Sequence, residues 1–156
     1  MASNNRVSIL IVDDHEVVRK GIRSYIETVK DFHVIGEAAR GEDAVKLVSE
    51  HIPDIVLLDL IMPGMDGVET TRRIKHISPR TQVVVLTSYH EDVHIFPALK
   101  AGAISYILKD MKMEKLVETL RRAAQKEVTL HPLVAARVLQ NIRSENGNDP
   151  PLFTEL

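Results

Sequence analysis

The sequence predicts an α/β fold built on a doubly wound, five-stranded parallel sheet, and three observations predict it. Five short apolar runs, rich in Val, Ile and Leu, alternate with five amphipathic helical patterns, and parallel neighbours need such helical crossovers. The central runs are apolar without alternation, as strands buried on both faces are. Carboxylates, hydroxyls and a lysine gather where runs end: Asp13 and Asp14, Asp59, Thr87 and Ser88, and Lys109.

The first strand is VSILIV, residues 7–12. A helix follows in which Val17, Val18, Ile22, Tyr25, Ile26 and Val29 recur at helical spacing, with Glu16, Arg19, Lys20, Arg23 and Glu27 largely on the other face. HVIGEAA, residues 33–39, is a weaker second strand. Gly41 opens a short helix through Ala44, Val45, Leu47 and Val48, which stops at Ile52-Pro53 because a residue before proline avoids helical geometry.

Ile55 to Leu58 is the central strand, delivering Asp59 into a turn-rich loop with Pro63-Gly64 and Asp66-Gly67. The next helix covers residues 67–77 with Val68, Thr71, Ile74 and Ile77 inward, and QVVVLTS, residues 82–88, is the fourth strand. Val93, Phe96, Leu99 and Ala101 outline a helix ending at Gly102, with Pro97 awkwardly inside it. AISYILK, residues 103–109, is the fifth strand, and residues 113–126 form the fifth helix. Beyond a short extended piece at 128–130, residues 132–142 form an extra C-terminal helix, and SENGNDPP, residues 144–151, reads as a linker. This divides the chain into a main domain over 1–127, an extension over 128–143, and a tail over 144–156.

At 156 residues the chain suits one core, and its 44% apolar and 27% charged residues are ordinary for a globular protein. A net charge of −2 gives no electrostatic reason to expect nucleic acid or an anionic membrane as direct partner. The absence of Cys excludes disulfides and thiolate chemistry. Residues 7–12 are too short for a secretory core, and no apolar run approaches the ~20 residues of a membrane span. The expected location is the cytoplasm.

If the sheet order is 2-1-3-4-5, Asp13, Asp14, Asp59, Thr87 and Lys109 converge at one crevice. Three carboxylates so close repel unless a cation joins them, and all-oxygen ligands suit Mg²⁺. Asp59 as nucleophile would then form an acyl phosphate, Mg²⁺ and Lys109 would neutralise phosphoryl oxygens, and Thr87 would donate a hydrogen bond. Singly, each has a plainer role as cap, strand-end hydroxyl or solvated charge. Their joint placement at one edge is what argues for chemistry.

Together, Asp13-Asp14, Asp59 with Met62-Pro63 and Met65-Asp66-Gly67, Thr87-Ser88, and Tyr106 with Lys109 resemble the receiver domain of two-component response regulators, over about residues 7–126. The resemblance implies a flavodoxin-like fold and phosphorylation of Asp59 by a sensor histidine kinase. It also implies Mg²⁺ held by Asp14, Asp59 and the backbone carbonyl of Ile61, with Asp13 assisting. Thr87 and Tyr106 become a switch pair, the hydroxyl moving toward the phosphoryl group as the ring turns inward. Such a protein assists its own phosphorylation and dephosphorylation but is not an enzyme acting on other substrates, and a homodimer formed on phosphorylation is an expected partner.

Many receivers follow the lysine with proline, whereas Asp110 stands here. The Leu108-Lys109-Asp110 ending and the Ala101-Gly102-Ala103 turn are similar to the NarL/FixJ class, whose regulators carry a C-terminal helix-turn-helix. Residues 152–156 resemble the opening of that domain, through which alone DNA would be bound.

Two other readings compete. His90-Glu91-Asp92-Val93-His94 matches the H-E-x-x-H zinc pattern, with Glu114 as an imaginable third ligand. A surface helix without a catalytic lobe, in a chain with seven histidines, explains that spacing more simply. Haloacid-dehalogenase-like phosphatases also use an aspartyl phosphate, but with Asp-x-Asp spacing that Asp13-Asp14-His15 lacks.

Overall fold

The computed structural model describes residues 6–145. In chain order the elements are β1 (Val7–Val12), α1 (Glu16–Ile26), β2 (Phe32–Ala38), α2 (Gly41–His51), β3 (Ile55–Leu58) and α3 (Gly67–Ile77). They continue with β4 (Gln82–Thr87), α4 (Asp92–Ala101), β5 (Ser105–Leu108), α5 (Met113–Ala124), β6 (Thr129–Leu130) and α6 (Pro132–Glu145). All strand pairs are parallel, in the order β2-β1-β3-β4-β5-β6.

The order of the first five strands follows the sequence pattern, and the flavodoxin-like fold stands. The expected count of five strands is corrected to six. Ser105 pairs with Thr129 and Tyr106 with Leu130. Two residues carry no period of their own, and they are drawn into the sheet because β5 offers an open edge. The last helix also runs past Ile142 through Ser144 and Glu145, into what the composition marks as linker. The rest of that tail, residues 146–156, lies outside the described residues.

Alternation along each strand sorts its side chains into two cores. Leu10, Val12, Val56, Leu58, Val83, Val85 and Tyr106 face α2, α3 and α4 through Val48, Ile74, Ile95 and Ala98, joined by Val134 of α6. Ile9, Ile11, Ile55, Leu57, Val84 and Ile107 face α1 and α5 through Ile22, Ile26, Leu116 and Leu120. Burial of each such side chain is worth about 1.5–3 kcal/mol, which is what holds the layers together.

Some inward assignments are corrected. Val17 is 85% exposed and Val18 37%, and both line a surface groove with Met113 and Leu116. Ile77, the last residue of α3, is 42% exposed. Pro97 does sit inside α4. It withholds the bond that the Val93 carbonyl would accept, and Val93 is exposed, on the side of the helix where solvent can take the place of that bond.

The loop after β3 is fixed at both ends. Asp66 caps α3 by accepting the Glu69 N–H at 2.9 Å, and the Gly67 N–H donates to the Leu60 carbonyl at 2.7 Å. A Cβ on Gly67 would stand 2.5 Å from the Leu60 Cα. Only glycine allows the helix to start this close to the strand's exit.

Candidate functional site

The in-register ends of β1, β3, β4 and β5 bring the strand-end residues to one rim. The Asp59 N–H donates to the Val12 carbonyl at 3.0 Å, and the Lys109 N–H to the Thr87 carbonyl at 2.8 Å. The backbone ladder thus sets where both charged side chains begin. Asp13 and Asp59 are nearly buried, at 3% and 5% exposure. Between them reaches Lys109, whose Nζ is 3.0 Å from Asp13 Oδ2 and 3.4 Å from Asp59 Oδ2. Asp14, Asp59, Ile61, Ser88, Tyr89 and Lys109 line a cleft of about 530 Å³.

The charges are only partly balanced. Burial pushes the Asp59 carboxyl up from the usual range, the Asp13 charge adds to that, and Lys109 opposes it. Burial acts against the Lys109 ammonium too, but Asp13 and Asp59 outweigh it and raise its pKa. Asp14 Oδ1 is buried without a hydrogen-bond partner. Lys109, even joined by a protonated His15 3.3 Å from Asp14 Oδ1, leaves negative charge over among three carboxylates, which a divalent cation would neutralise.

The donor set fits such an ion. Ligand atoms of Asp13, Asp14, His15 and Asp59 lie within 4.8 Å of one another, and octahedral ligation at ~2.1 Å spaces ligand atoms about 3–4 Å apart. The acidic pocket is therefore compatible with Mg²⁺ binding. His90 precedes the first turn of α4 instead of lying on it, and the His94 ring packs on Tyr89 with centroids 4.9 Å apart. The H-E-x-x-H spacing thus does not put its two histidines on one helix.

Thr87 is fully buried, and its Oγ1 makes no hydrogen bond of full geometry, though it interacts with the Asp59 carboxyl and lowers its pKa. Tyr106 is fully buried as well, with its ring turned inward and its hydroxyl donating to the Tyr89 carbonyl at 2.7 Å. Burial raises its pKa, as do the charges of Glu91 and Asp59.

Three further residues at the site carry roles that the strand-end pattern does not assign. His15 Nδ1 lies 3.0 Å from Asp13 Oδ1 and 4.0 Å from Asp59 Oδ2. Its hydrogen bond to Asp13, then the Asp14 and Asp13 charges, raise its pKa. Arg19, which the helical pattern puts on the face of α1 away from the core, donates to the Asp13 carbonyl at 2.7 Å and to Glu37 Oε1 at 2.7 Å. Tyr89 supplies the carbonyl that holds Tyr106. Only His15 had a visible signal, as the third potential ligand in a row after β1.

The chain matches the family described as response regulator receiver domain over residues 9–121. It is 39% identical over 145 residues to the transcriptional regulatory protein LiaR of Bacillus subtilis, covering 93% of this chain and 69% of that protein. To the response regulator protein VraR of Staphylococcus epidermidis it is 41% identical over 137 residues, covering 88% and 66%. A LuxR-family two-component response regulator from Aurantimonas superposes with a TM-score of 0.82 at 31% identity, covering 87% of this chain and 97% of that one. A LuxR-family DNA-binding response regulator from Staphylococcus aureus gives 0.72 at 30% identity, covering 76% and 98%. With the acidic rim and the parallel sheet that builds it, these likenesses establish that the chain belongs to the response regulator receiver family, in its LuxR-type branch, and serves phosphorylation-dependent two-component signalling that regulates transcription.

Proposed function

We propose that Asp59 is the phosphoacceptor and that Asp13, Asp14, Asp59 and the Ile61 carbonyl hold Mg²⁺ beside it. The observation that carries this is the buried Asp59 carboxylate 3.4 Å from Lys109 Nζ at the mouth of an acidic cleft. An Asp59 oxygen attacks the phosphorus of a phosphohistidine on a sensor histidine kinase. A P–O bond forms as the P–N bond breaks, and the imidazole leaves. Lys109 stabilises charge on the transferred oxygens, and Thr87 donates to one of them. Mg²⁺, when bound, neutralises the phosphoryl charge. Asp59 is consumed and regenerated by hydrolysis, so the chain assists its own modification and turns over no other substrate.

The phosphoryl group adds about −1.5 to −2 charges, which draws the buried Thr87 hydroxyl toward it and, with Tyr106, moves the rim of β4 and β5. Output is proposed to pass from the receiver, residues 1–127, through the 128–143 extension to a helix-turn-helix domain that binds DNA, with homodimer formation on phosphorylation. Response regulators of this kind work with sensor histidine kinases and can dimerise. No helix among the described residues is long and apolar enough to cross a membrane, and the cytoplasm is the proposed location.

Acetyl phosphate with Mg²⁺ should add one phosphoryl group, seen by intact mass, and Asp59→Asn should abolish it. Full labelling of Asp59→Asn would overturn the assignment. Thr87→Ala and Lys109→Ala should still bind Mg²⁺ but give no activated-state spectrum with beryllofluoride. A normal spectrum from Lys109→Ala would remove that lysine from the mechanism.

A further inference from the structure

The strand that carries Tyr106 is covered by the chain's own C-terminal segment. Leu130 pairs with Tyr106 in the sheet, and the His131 N–H donates to the Tyr106 carbonyl at 3.2 Å. One turn later Val134 is fully buried in the same core as Tyr106, Ile95 and Ala98. Arg137 Nε then donates to Asp92 Oδ1 at 2.8 Å. Asp92 opens α4, three residues after Tyr89, whose carbonyl accepts the Tyr106 hydroxyl.

Helix α6 is therefore attached twice, to the strand bearing the switch tyrosine and to the helix that begins just after its hydrogen-bond partner. The first attachment is buried and strong. The second joins side chains that are 45% and 54% exposed, beside a polar cleft of about 320 Å³ lined by Gln140 and Asn141. Such an exposed pair is weak and responds to small displacements of the first turn of α4. A Tyr106 ring turning outward at this edge would meet the segment that now covers it.

We propose that α6 is an intramolecular partner of the switch: its docking on the α4–β5 face holds Tyr106 inward, so phosphorylation of Asp59 tightens docking and docking favours the phosphorylated state. The inference rests on the receiver reading of Asp59, Thr87 and Tyr106. Linkage makes the coupling reciprocal: whatever factor beryllofluoride adds to docking, docking adds to beryllofluoride affinity. The α4–β5 face is accordingly an internal contact surface whose occupant is this chain.

Hydrogen exchange on the full chain, with and without Mg²⁺ and beryllofluoride, reads the docking, and fluorine NMR of the bound adduct reads the affinity. Amides from Ala135 to Ile142 should exchange at least ~3-fold more slowly with the adduct. Val134→Asp should abolish that protection and weaken beryllofluoride binding by a similar factor. Arg137→Ala should speed exchange in both states, and the charge-swapped pair Asp92→Arg with Arg137→Asp should restore it. That pair keeps the test decisive if Val134→Asp fails to fold. Unchanged α6 exchange alongside a changed 87–92 segment would overturn the coupling, as would wild-type beryllofluoride affinity in a folded Val134→Asp. No change at 87–92 and no adduct on Asp59 would instead overturn the receiver reading beneath it.

Discussion

The Arg19 guanidinium donates to the Asp13 main-chain carbonyl at 2.7 Å while its Nε holds Glu37 at 2.7 Å. One side chain of α1 thus fastens the acidic loop after β1 to β2. Both partners are mostly buried, at 13% and 11% side-chain exposure. Arg19→Ala leaves a carbonyl and part of a carboxylate unpaired, an expected loss of about 2 kcal/mol in urea unfolding. The loosened loop should also weaken Mg²⁺ binding, measured by calorimetry. Equal Mg²⁺ affinity in a destabilised variant would reduce Arg19 to a scaffold residue.

Glu37 makes stability depend on acid. Burial alone would raise its pKa, but Arg19, Arg23 and Lys20 hold it at about 2, below its ordinary 4.5. The unfolded chain therefore binds this proton more tightly than the folded one. The stabilisation is fully present above the unfolded value and drains away as pH falls from 4.5 toward 2. After discounting for screening at the part-exposed Arg23 and Lys20, ~1–2 kcal/mol is expected. Denaturation curves of Glu37→Gln should be flatter than wild type across that window, and parallel curves would refute the attribution.

Asp59 works in the opposite direction. Its folded pKa is raised by burial and by Asp13, so its charge opposes folding increasingly as pH rises past the unfolded value of 3.8. In metal-free buffer at neutral pH, Asp59→Asn should melt a few degrees higher than wild type, about what 1 kcal/mol shifts a domain of this size. Saturating Mg²⁺ should shrink that gap by stabilising wild type more. A lower melting point in chelator would contradict the electrostatic picture.

The Thr87 hydroxyl is buried without a hydrogen bond of full geometry, and only a weak interaction with the Asp59 carboxylate, whose pKa it lowers, offsets its desolvation. Thr87→Val keeps the shape and removes the poorly partnered polar group, so thermal unfolding should show a gain of up to about 1 kcal/mol. The same variant should give no beryllofluoride-induced spectral change. A destabilised Thr87→Val would mean the hydroxyl is hydrated in solution.

Most of the fold was legible because β1 and β3–β5 are continuous apolar runs and the helices keep a 3.6-residue period. The rim was legible too, since the chemistry-bearing residues follow directly on strands. Elsewhere the pattern ran out for physical reasons. β6 is too short to carry a period, and its pairing depends on the edge it meets. Val17 and Val18 satisfy the helical stripe, yet nothing local says that this turn faces a surface groove instead of the core. Arg19 reads as solvated because its role is a reach back to a main-chain carbonyl, a contact no side-chain pattern encodes.

The two residues of β6 also matter for solubility. They occupy the main-chain edge of Ser105 and Tyr106, which would otherwise stand open for strand pairing. At the opposite margin, β2 is paired on one side and presents the exposed, polar His33, which discourages a second chain from stacking there. A fragment ending before Thr129 would therefore be expected to self-associate through β5 at high concentration, although its phosphoacceptor rim would be complete.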